Sequence, residues 1–499
     1  MQNSKNKIYD KSYNKIIRSF KTRKKGATIS DIAACTALPL STVKNLVPVA
    51  AHEFSGRLEV TESGEILYSF PQGFTSRYRG LGHCIKRFTE KLIVFSLKMS
   101  ILLFKFWIMI MLIGYFLLFM TIALASIFLS MAASSGRNSS RRGSSGNMAF
   151  SMSIFNMIMR LWFYSELTKS YNQRRDPYGR TSYAKPSMPG KPLHKAIFSF
   201  VFGDGDPNSG WEEENKRILL KYLKENCGVI SLPEFMIISG LGPAEAERAI
   251  TAFCVEFNGS PEATEDGTVV YCFNEILLSS EKTSKKPQGL SAASLLIYKT
   301  KETFSSNPEK MNFWFNIINA FNLVFGIYFL YSSASIGNII TEQSSYIYSL
   351  VYVFISVFFI INPLPLIPIV LGIIPLAFSL LFWLIPILRK QYLNNKNKTL
   401  NYENSRKFIF FKIWDSPLSI KKKNLEKTQS REYNIDNVID KIIKEMGTYS
   451  MPEISLDENN NEVYSFTELE REKKALEKYQ LAIDIEKFAI GETVFDSGK

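Results

Sequence analysis

Two kinds of apolar patterning alternate along this chain. In the first kind, apolar residues recur at helical spacing and then switch to strict alternation. Helical spacing runs through Tyr9 to Phe20, opens again at Ser30, and returns from Ser41 to Phe54, with a Pro-Leu-Ser break between the last two. Alternation follows in Gly56 to Phe70, GRLEVTESGEILYSF, which predicts two short strands joined by a tight turn. The same succession returns downstream. Trp211 to Asn226, Leu232 to Ser239 and Pro243 to Phe257 predict three helices, the last with Pro at its first position, where the missing N–H is harmless. Gly259 to Phe273, GSPEATEDGTVVYCF, then predicts the hairpin.

A third copy of the hairpin lies in Pro452 to Phe466, PEISLDENNNEVYSF, preceded by a helix over Ile435 to Met446. The three hairpins align without a gap. Glu62, Glu265 and Glu458 coincide, as do Tyr68, Tyr271 and Tyr464, and the turn position is Gly64, Gly267 and Asn460, residue types that tolerate positive φ. Three helices followed by a hairpin is the winged-helix plan. No short second helix is evident in the third copy, which reads as degenerate.

The second kind of patterning is continuous. Phe106 to Met131 is an uncharged apolar run, longer than the ~20 residues that cross a hydrocarbon core. Further apolar segments cover Asn312 to Tyr331, Tyr346 to Ile361 and Leu364 to Leu388, where Glu342 is the only charged residue between Lys310 and Arg389. An Asn362-Pro363-Leu364-Pro365 break separates the last two, either as a turn between full spans or as a kink in a re-entrant hairpin. Met148 to Leu167 carries Arg160 among Phe, Met and Trp and reads as an interfacial helix rather than a span. Met1 to Lys25 is polar and basic, unlike a signal peptide.

The expected class is therefore mainly α: a helical membrane protein with repeated winged-helix-like soluble modules. Module 1 is expected over residues 1–80 and a basic flank with a transmembrane helix over 81–131. A Ser/Gly/Arg-rich linker with the interfacial helix fills 132–195, module 2 fills 196–285, and a linker fills 286–310. A transmembrane cluster of two or three segments covers 311–390, a basic linker 391–430, and module 3 with a C-terminal helix 431–499.

The formal net charge of +14 points to polyanions until its location is considered. Lys86, Arg87, Lys91, Lys98 and Lys105 precede the first span, Arg137, Arg141 and Arg142 follow it, and Arg389, Lys390, Lys396, Lys398, Arg406, Lys407 and Lys412 follow the last. Charge so placed serves topology and anionic lipid headgroups. Basic flanks on both sides of one span, and of three, conflict unless Met148 to Leu167 also crosses and a late segment is re-entrant; every module then shares one face. A DNA-reading helix needs phosphate-binding cations and base-edge donors. Ser41 to Phe54 offers only Lys44 and Asn45, and Pro243 to Phe257 carries Glu245, Glu247 and Glu256 against Arg248, so nucleic acid is not the expected partner.

Catalytic chemistry leaves little trace. His52, His83 and His194 are scattered, and Cys35, Cys84, Cys227, Cys254 and Cys272 form no CxxC pair. Phosphate loop, nucleophile elbow and zinc-protease helix are all missing from the sequence. In FSFVFGDGDPN, Phe198 to Asn208, the residues Asp204, Asp206 and Asn208 alternate like calcium ligands, but Ser209 and Asn215 stand where such a loop needs Gly and Glu. A turn leading into a helix with Glu212, Glu213 and Glu214 in its first turn is the plainer reading. No catalytic residue, cofactor or metal ligand is assigned.

The segments TISDIAACTALPLSTVKNL, GRLEVTESGEILYSFPQGF, FSFVFGDGDPN, GTVVYCF and IGETVFDSG together resemble a family of multi-pass membrane proteins of cyanobacteria and plastids, whose plant members are labelled iron-sulfur cluster biosynthesis family proteins. The resemblance implies a thylakoid, envelope or plasma membrane protein of a photosynthetic lineage. The iron-sulfur label does not carry over, because no paired thiolates stand ready to hold a cluster. The functional expectation is a non-enzymatic membrane-anchored scaffold or assembly factor whose soluble modules face the cytoplasm and bind protein partners. Its candidate contact surface is the hairpin tips: Glu62 and Ser63, Glu265 and Asp266, Asn459 and Asn460. A membrane-tethered nucleic-acid regulator and a transporter subunit are the alternatives.

Overall fold

The structure, a computed structural model, describes residues 2–22, 26–71, 73–74, 81–134, 191–278, 296–336, 346–359, 362–422, 425, 436–458, 461–483, 488 and 491–497. In chain order, helices α1 (Gln2–Thr22), α2 (Ile29–Thr36) and α3 (Leu40–Glu53) lead to strands β1 (Arg57–Thr61) and β2 (Ile66–Ser69). Helix α4 (Leu81–Met109) passes through a π-turn, Ile110–Gly114, into α5 (Tyr115–Ser134). Then come α6 (Leu193–Phe202), α7 (Trp211–Glu225), β3 (Val229–Ser231), α8 (Leu232–Ser239), α9 (Pro243–Phe257), β4 (Ser260–Ala263), β5 (Val269–Cys272) and α10 (Asn274–Leu277). Helices α11 (Glu309–Ile336) and α12 (Tyr346–Phe359) precede a second π-turn, Pro368–Ile373, which opens α13 (Ile374–Asp415). The chain ends in β6 (Ile420–Lys421), α14 (Asp436–Gly447), β7 (Glu453–Leu456), β8 (Glu462–Ser465), α15 (Thr467–Ala482) and β9 (Thr493–Asp496).

The chain folds into two compact units. The first gathers residues 1–86, 206–301 and 396–499 and holds three repeats of one arrangement. In each hairpin the aligned tyrosine sits between the same two partners. Tyr68 lies opposite Leu58 on one side and bridges Ala27 on the other; Tyr271 lies between Pro261 and Ile230, and Tyr464 between Ile454 and Ile420. The turns match as well. The backbone N–H of Thr61, Thr264 and Asp457 donates to the carbonyl four residues on, at 3.0, 2.8 and 2.9 Å, and Gly64 and Gly267 sit at φ of 81° and 77°.

The residue after each of the first two bridging partners starts the short helix. Thr28 accepts from the Asp31 N–H at 3.1 Å while its own N–H donates to the Asp31 carboxylate at 3.3 Å, and Ser231 and Glu234 repeat this reciprocal cap before α8. The sequence-derived spans for α8 and α9 match residue for residue, because Ser-x-x-Glu, Gly240 and Pro243 mark their ends.

The third repeat is fuller than its sequence shows. Residues 391–430, read above as a linker, are helical through Asp415 and paired as β6 beyond it. The end of α13 is the missing first helix: Ile409, Phe410, Ile413 and Trp414 join one hydrophobic core with Leu219, Tyr222 and Phe273 of the second repeat and Ile442 and Phe466 of the third. The basic run on α13 dilutes its periodicity, and no cap separates it from the apolar half. By the register of the first two repeats a short second helix would open at Lys422, and Lys422 and Leu425 are helical; residues 423–424 and 426–435 lie outside the described residues, as do Met148 to Leu167.

The first repeat has its own core, built on Ile16, Phe20, Ile32, Val43, Leu46 and Tyr68. It is joined to the second by Lys224 Nζ against fully buried Asp31 at 3.1 Å, by the Thr28 hydroxyl donating to the Leu278 carbonyl at 2.9 Å, and by the ion pairs Lys44–Glu275 and Lys15–Glu213.

The second unit, residues 87–205 and 302–395, is helical and apolar. Among the described residues three helices are long and apolar enough to cross a membrane: Leu92–Phe128, Glu309–Ala334 and Pro368–Asp415. The first begins earlier than the uncharged run at Phe106, and Lys98 and Lys105 fall inside it. Lys105 places its ammonium 4.5 Å from the Phe198 ring centroid, so its aliphatic stem lies along an apolar helix. The described part of α12, 14 residues, extends about 21 Å against a ~30 Å hydrocarbon core, so among the described residues two of the three late segments have spanning length.

Sequence reasoning missed β9. It adds antiparallel to the outer edge of β1, pairing Glu59 with Asp496 and Val60 with Phe495, and Arg57 Nε donates to the Asp496 carboxylate at 2.6 Å. Val494 and Phe495 stay largely exposed, so little apolar burial holds the strand. Asp496→Lys is expected to accelerate amide exchange at Glu62 and Ser497, whose N–H groups bond across this pair, by about tenfold. Exchange at Tyr68, which bonds to Ala27, stays unchanged. Unaltered exchange at Glu62 would show that backbone pairing alone fixes the strand.

Candidate functional site

The first two predicted hairpin tips are exposed but not equivalent. Glu62 donates its N–H to the Glu492 carbonyl at 3.0 Å and packs against Gly491, while the Ser63 and Thr61 hydroxyls lie 3.1 Å apart. Glu265 pairs with Lys478 of α15 at 2.9 Å; Asp266 is exposed beside it. Asn459 and Asn460 lie outside the described residues.

The outer hairpin edges differ more informatively than the tips. The β1 edge carries β9. The β4 edge contains Pro261, which has no N–H to offer, and Tyr479 of α15 donates to Glu262 beside it at 2.5 Å. The β7 edge has no strand partner among the described residues and presents Met451, Ile454 and Leu456 at 82%, 66% and 66% exposure. An exposed apolar edge is a ready template for a further strand. The sequence signal was Met-Pro-Glu-Ile-Ser-Leu, where apolar residues sit at the outward positions of an edge strand.

Between the second and third repeats, polar groups are buried in matched sets. Lys407 donates to the Ile238 carbonyl at 2.7 Å and lies 4.7 Å from the Trp211 ring centroid; Arg406 donates to the Gly240 carbonyl at 2.8 Å and pairs with Glu445. These cations meet the carbonyl end of α8, where the helix dipole favours them. Gly240, at φ 77°, is required there, since a Cβ would come within 2.6 Å of Lys407 Cε. Burial lowers the Lys407 ammonium to about 7. Glu234 accepts from the Tyr222 hydroxyl at 2.6 Å, and Glu472 accepts from the Tyr449 hydroxyl at 3.0 Å; burial raises both carboxyls to about 7.

FGDGDPN is structural on both sides of its glycine. In the second unit Asp204 accepts from the Ser306 N–H at 2.9 Å, the Ser306 hydroxyl at 2.7 Å, the Ser199 hydroxyl at 2.9 Å and Lys191. Those donors outweigh desolvation and hold its carboxyl well below the usual range. Arg389 donates to the Ser199 and Phe200 carbonyls at 3.4 and 3.2 Å, closing the end of α6. In the first unit Asp206 accepts from Lys396 at 2.7 Å, and Asn208 exchanges two bonds with Thr300. Among the described residues no group of three or more His, Cys, Asp or Glu is placed to hold a metal ion.

Within the second unit lies a feature missed from sequence: an asparagine row on α11. Asn312, Asn316, Asn319 and Asn322 follow at spacings of four, three and three, one face of a helix. Asn322 donates to the carbonyl of Leu112 in the first π-turn at 2.8 Å, Asn319 to the Ser379 carbonyl at 3.0 Å, and Trp383 donates to Asn316 at 3.0 Å. Tyr115 donates to the carbonyl of Val370 in the second π-turn at 2.9 Å. A π-turn loosens the regular ladder, and here neighbouring side chains take up the carbonyls. Gly326 and Gly372 let α11 and the second π-turn approach, a Cβ on Gly326 meeting the Gly372 carbonyl at 3.3 Å.

Compared with known proteins, the chain is similar to the Arabidopsis thaliana protein named "Uncharacterized protein At5g03900, chloroplastic", with 24% identity over 463 residues, 90% of this chain and 80% of the relative. No protein-family model matches the chain, and no solved structure matches it. A chloroplastic relative and three apolar helices of spanning length together point to a plastid membrane association.

Because the folded state raises Glu472 above its ordinary value of 4.5, that state binds more protons than the unfolded chain between pH 4.5 and 7. The contribution of Glu472 is full below pH 4.5 and is lost as pH rises toward 7, by on the order of 1 kcal/mol between pH 5 and 6.5. Lys407, lowered by burial to about 7, adds only a small contribution of opposite sign near the top of that window. Thermal melts of the full-length protein are expected to show Glu472→Gln flattening this fall. An undiminished slope would assign it to Glu234.

Proposed function

We propose that the chain is a non-enzymatic, membrane-anchored scaffold or assembly factor that binds protein partners through hairpin edges of winged-helix-like modules. The observation that carries this reading is β9 on β1: one of three hairpins of identical register accepts an added strand, so the architecture supports strand addition. The same edge in the third module is apolar and has no strand partner among the described residues.

Packing supports one reading of sidedness. Modules 1 and 2 are in contact, so an even number of crossings must separate them, and the helix Leu92–Phe128 supplies one. The alternative reading of Met148 to Leu167 as a second crossing meets that requirement. Two late spans return the chain to the same face for module 3. We place this face on the cytoplasmic side of a thylakoid or plasma membrane in a cyanobacterium-like cell, with basic flanking residues such as Lys98, Lys390 and Lys398 against anionic headgroups.

The combined change Ile454→Lys with Leu456→Glu is expected to remove specific crosslinked partners from the protein purified out of native membranes, leaving its melting temperature unchanged. A Val255→Lys control on the exposed face of α9 retains them. An identical partner set in both variants would contradict the reading.

A further inference from the structure

Asn319, Asn322 and Ser379 are fully buried in the second unit, at 0% exposure, on helices of spanning length. The amides of both asparagines donate to backbone carbonyls, which fixes their orientation: an oxygen facing a carbonyl would repel it, so the nitrogen must face it. That leaves Asn319 Oδ1 and Asn322 Oδ1 with no protein hydrogen-bond partner, and Ser379 Oγ has none either. Buried acceptors in a native protein are almost always satisfied. Asn319 and Asn322 stand one turn apart on one face of α11, and the Ser379 carbonyl accepts from the amide nitrogen of the first.

We propose that these three residues form an intramembrane hydration site that binds water between α11, the first π-turn and α13. The chemistry selects the ligand. Two acceptors require a hydrogen-bond donor, and a hydroxyl can either give or receive. A metal or ammonium ion would need compensation, yet Leu92 to Phe128 contains no acidic residue, and neither does Met311 to Leu388 outside Glu342. A neutral donor of the smallest size meets the need, and water with two to four polar partners is the usual occupant of such a site. Bound there, water joins the amides that already hold the Leu112 and Ser379 carbonyls, which makes the first π-turn part of a polar joint within the apolar bundle.

Synchrotron hydroxyl-radical labelling of the full-length protein in lipid nanodiscs tests this, because radicals formed from a bound water oxidise the buried side chains beside it. Leu112 and Leu46 are both buried, at 0% and 2%, and share one intrinsic reactivity. Leu112 is expected to oxidise at least about fivefold faster than Leu46, a difference of about 1 kcal/mol in effective rate, and Asn322→Leu should bring it down to the Leu46 rate. Equal labelling of the two leucines in the unaltered protein would show a dry site and overturn the proposal. A melting temperature that rises with sodium or potassium chloride but not with choline chloride, and no longer does so in Ser379→Ala, would assign a cation and overturn it too.

Discussion

Asp31 is fully buried and faces Lys224 across the boundary between two modules that the chain separates by a helix long and apolar enough to span a membrane. That contact constrains everything else. Breaking a buried ion pair strands a charge and costs several kcal/mol, so the two modules are not independent beads on a membrane tether. A packed first unit in turn puts three hairpins of common register within one body.

A second theme is how the chain satisfies groups that a helix leaves open. Reciprocal caps start α2 and α8; Arg406 and Lys407 close α8; Arg389 closes α6; Asn322 and Tyr115 take the carbonyls of the two π-turns. Each uses the side chain suited to its surroundings. Cations close the ends of α8 and α6, and neutral side chains serve the π-turns within the apolar helices, where a charge would be far more expensive.

Local chemistry decided what could be read from the sequence. The later two helices of the second module were legible to the residue because Ser231, Glu234, Gly240 and Pro243 punctuate them, and the hairpins were legible because Tyr-x-Phe alternates around a Gly or Asn turn. What depended on distant partners was not. The first helix of the third module hides in a basic run whose apolar positions gain meaning only against the second module's core. β9 is four residues long, and its partner lies more than 400 residues away. The hairpin tips were legible as exposed polar turns, whereas the difference among the three edges required knowing which one β9 and α15 cover. The asparagine row had a readable spacing, but neutral amides in an apolar helix raise no alarm when charge is the criterion.

Sidedness mapping of the intact protein tests the central claim most directly. Single cysteines placed at exposed positions of the three modules, such as Glu62, Val255 and Met451, would be probed in sealed vesicles with a membrane-impermeant thiol reagent, in a background lacking the native cysteines. The packed first unit predicts that all three react from the same side. Labelling of Glu62→Cys from the face opposite to Val255→Cys would contradict it, because modules on opposite faces of a bilayer cannot share the Asp31–Lys224 contact.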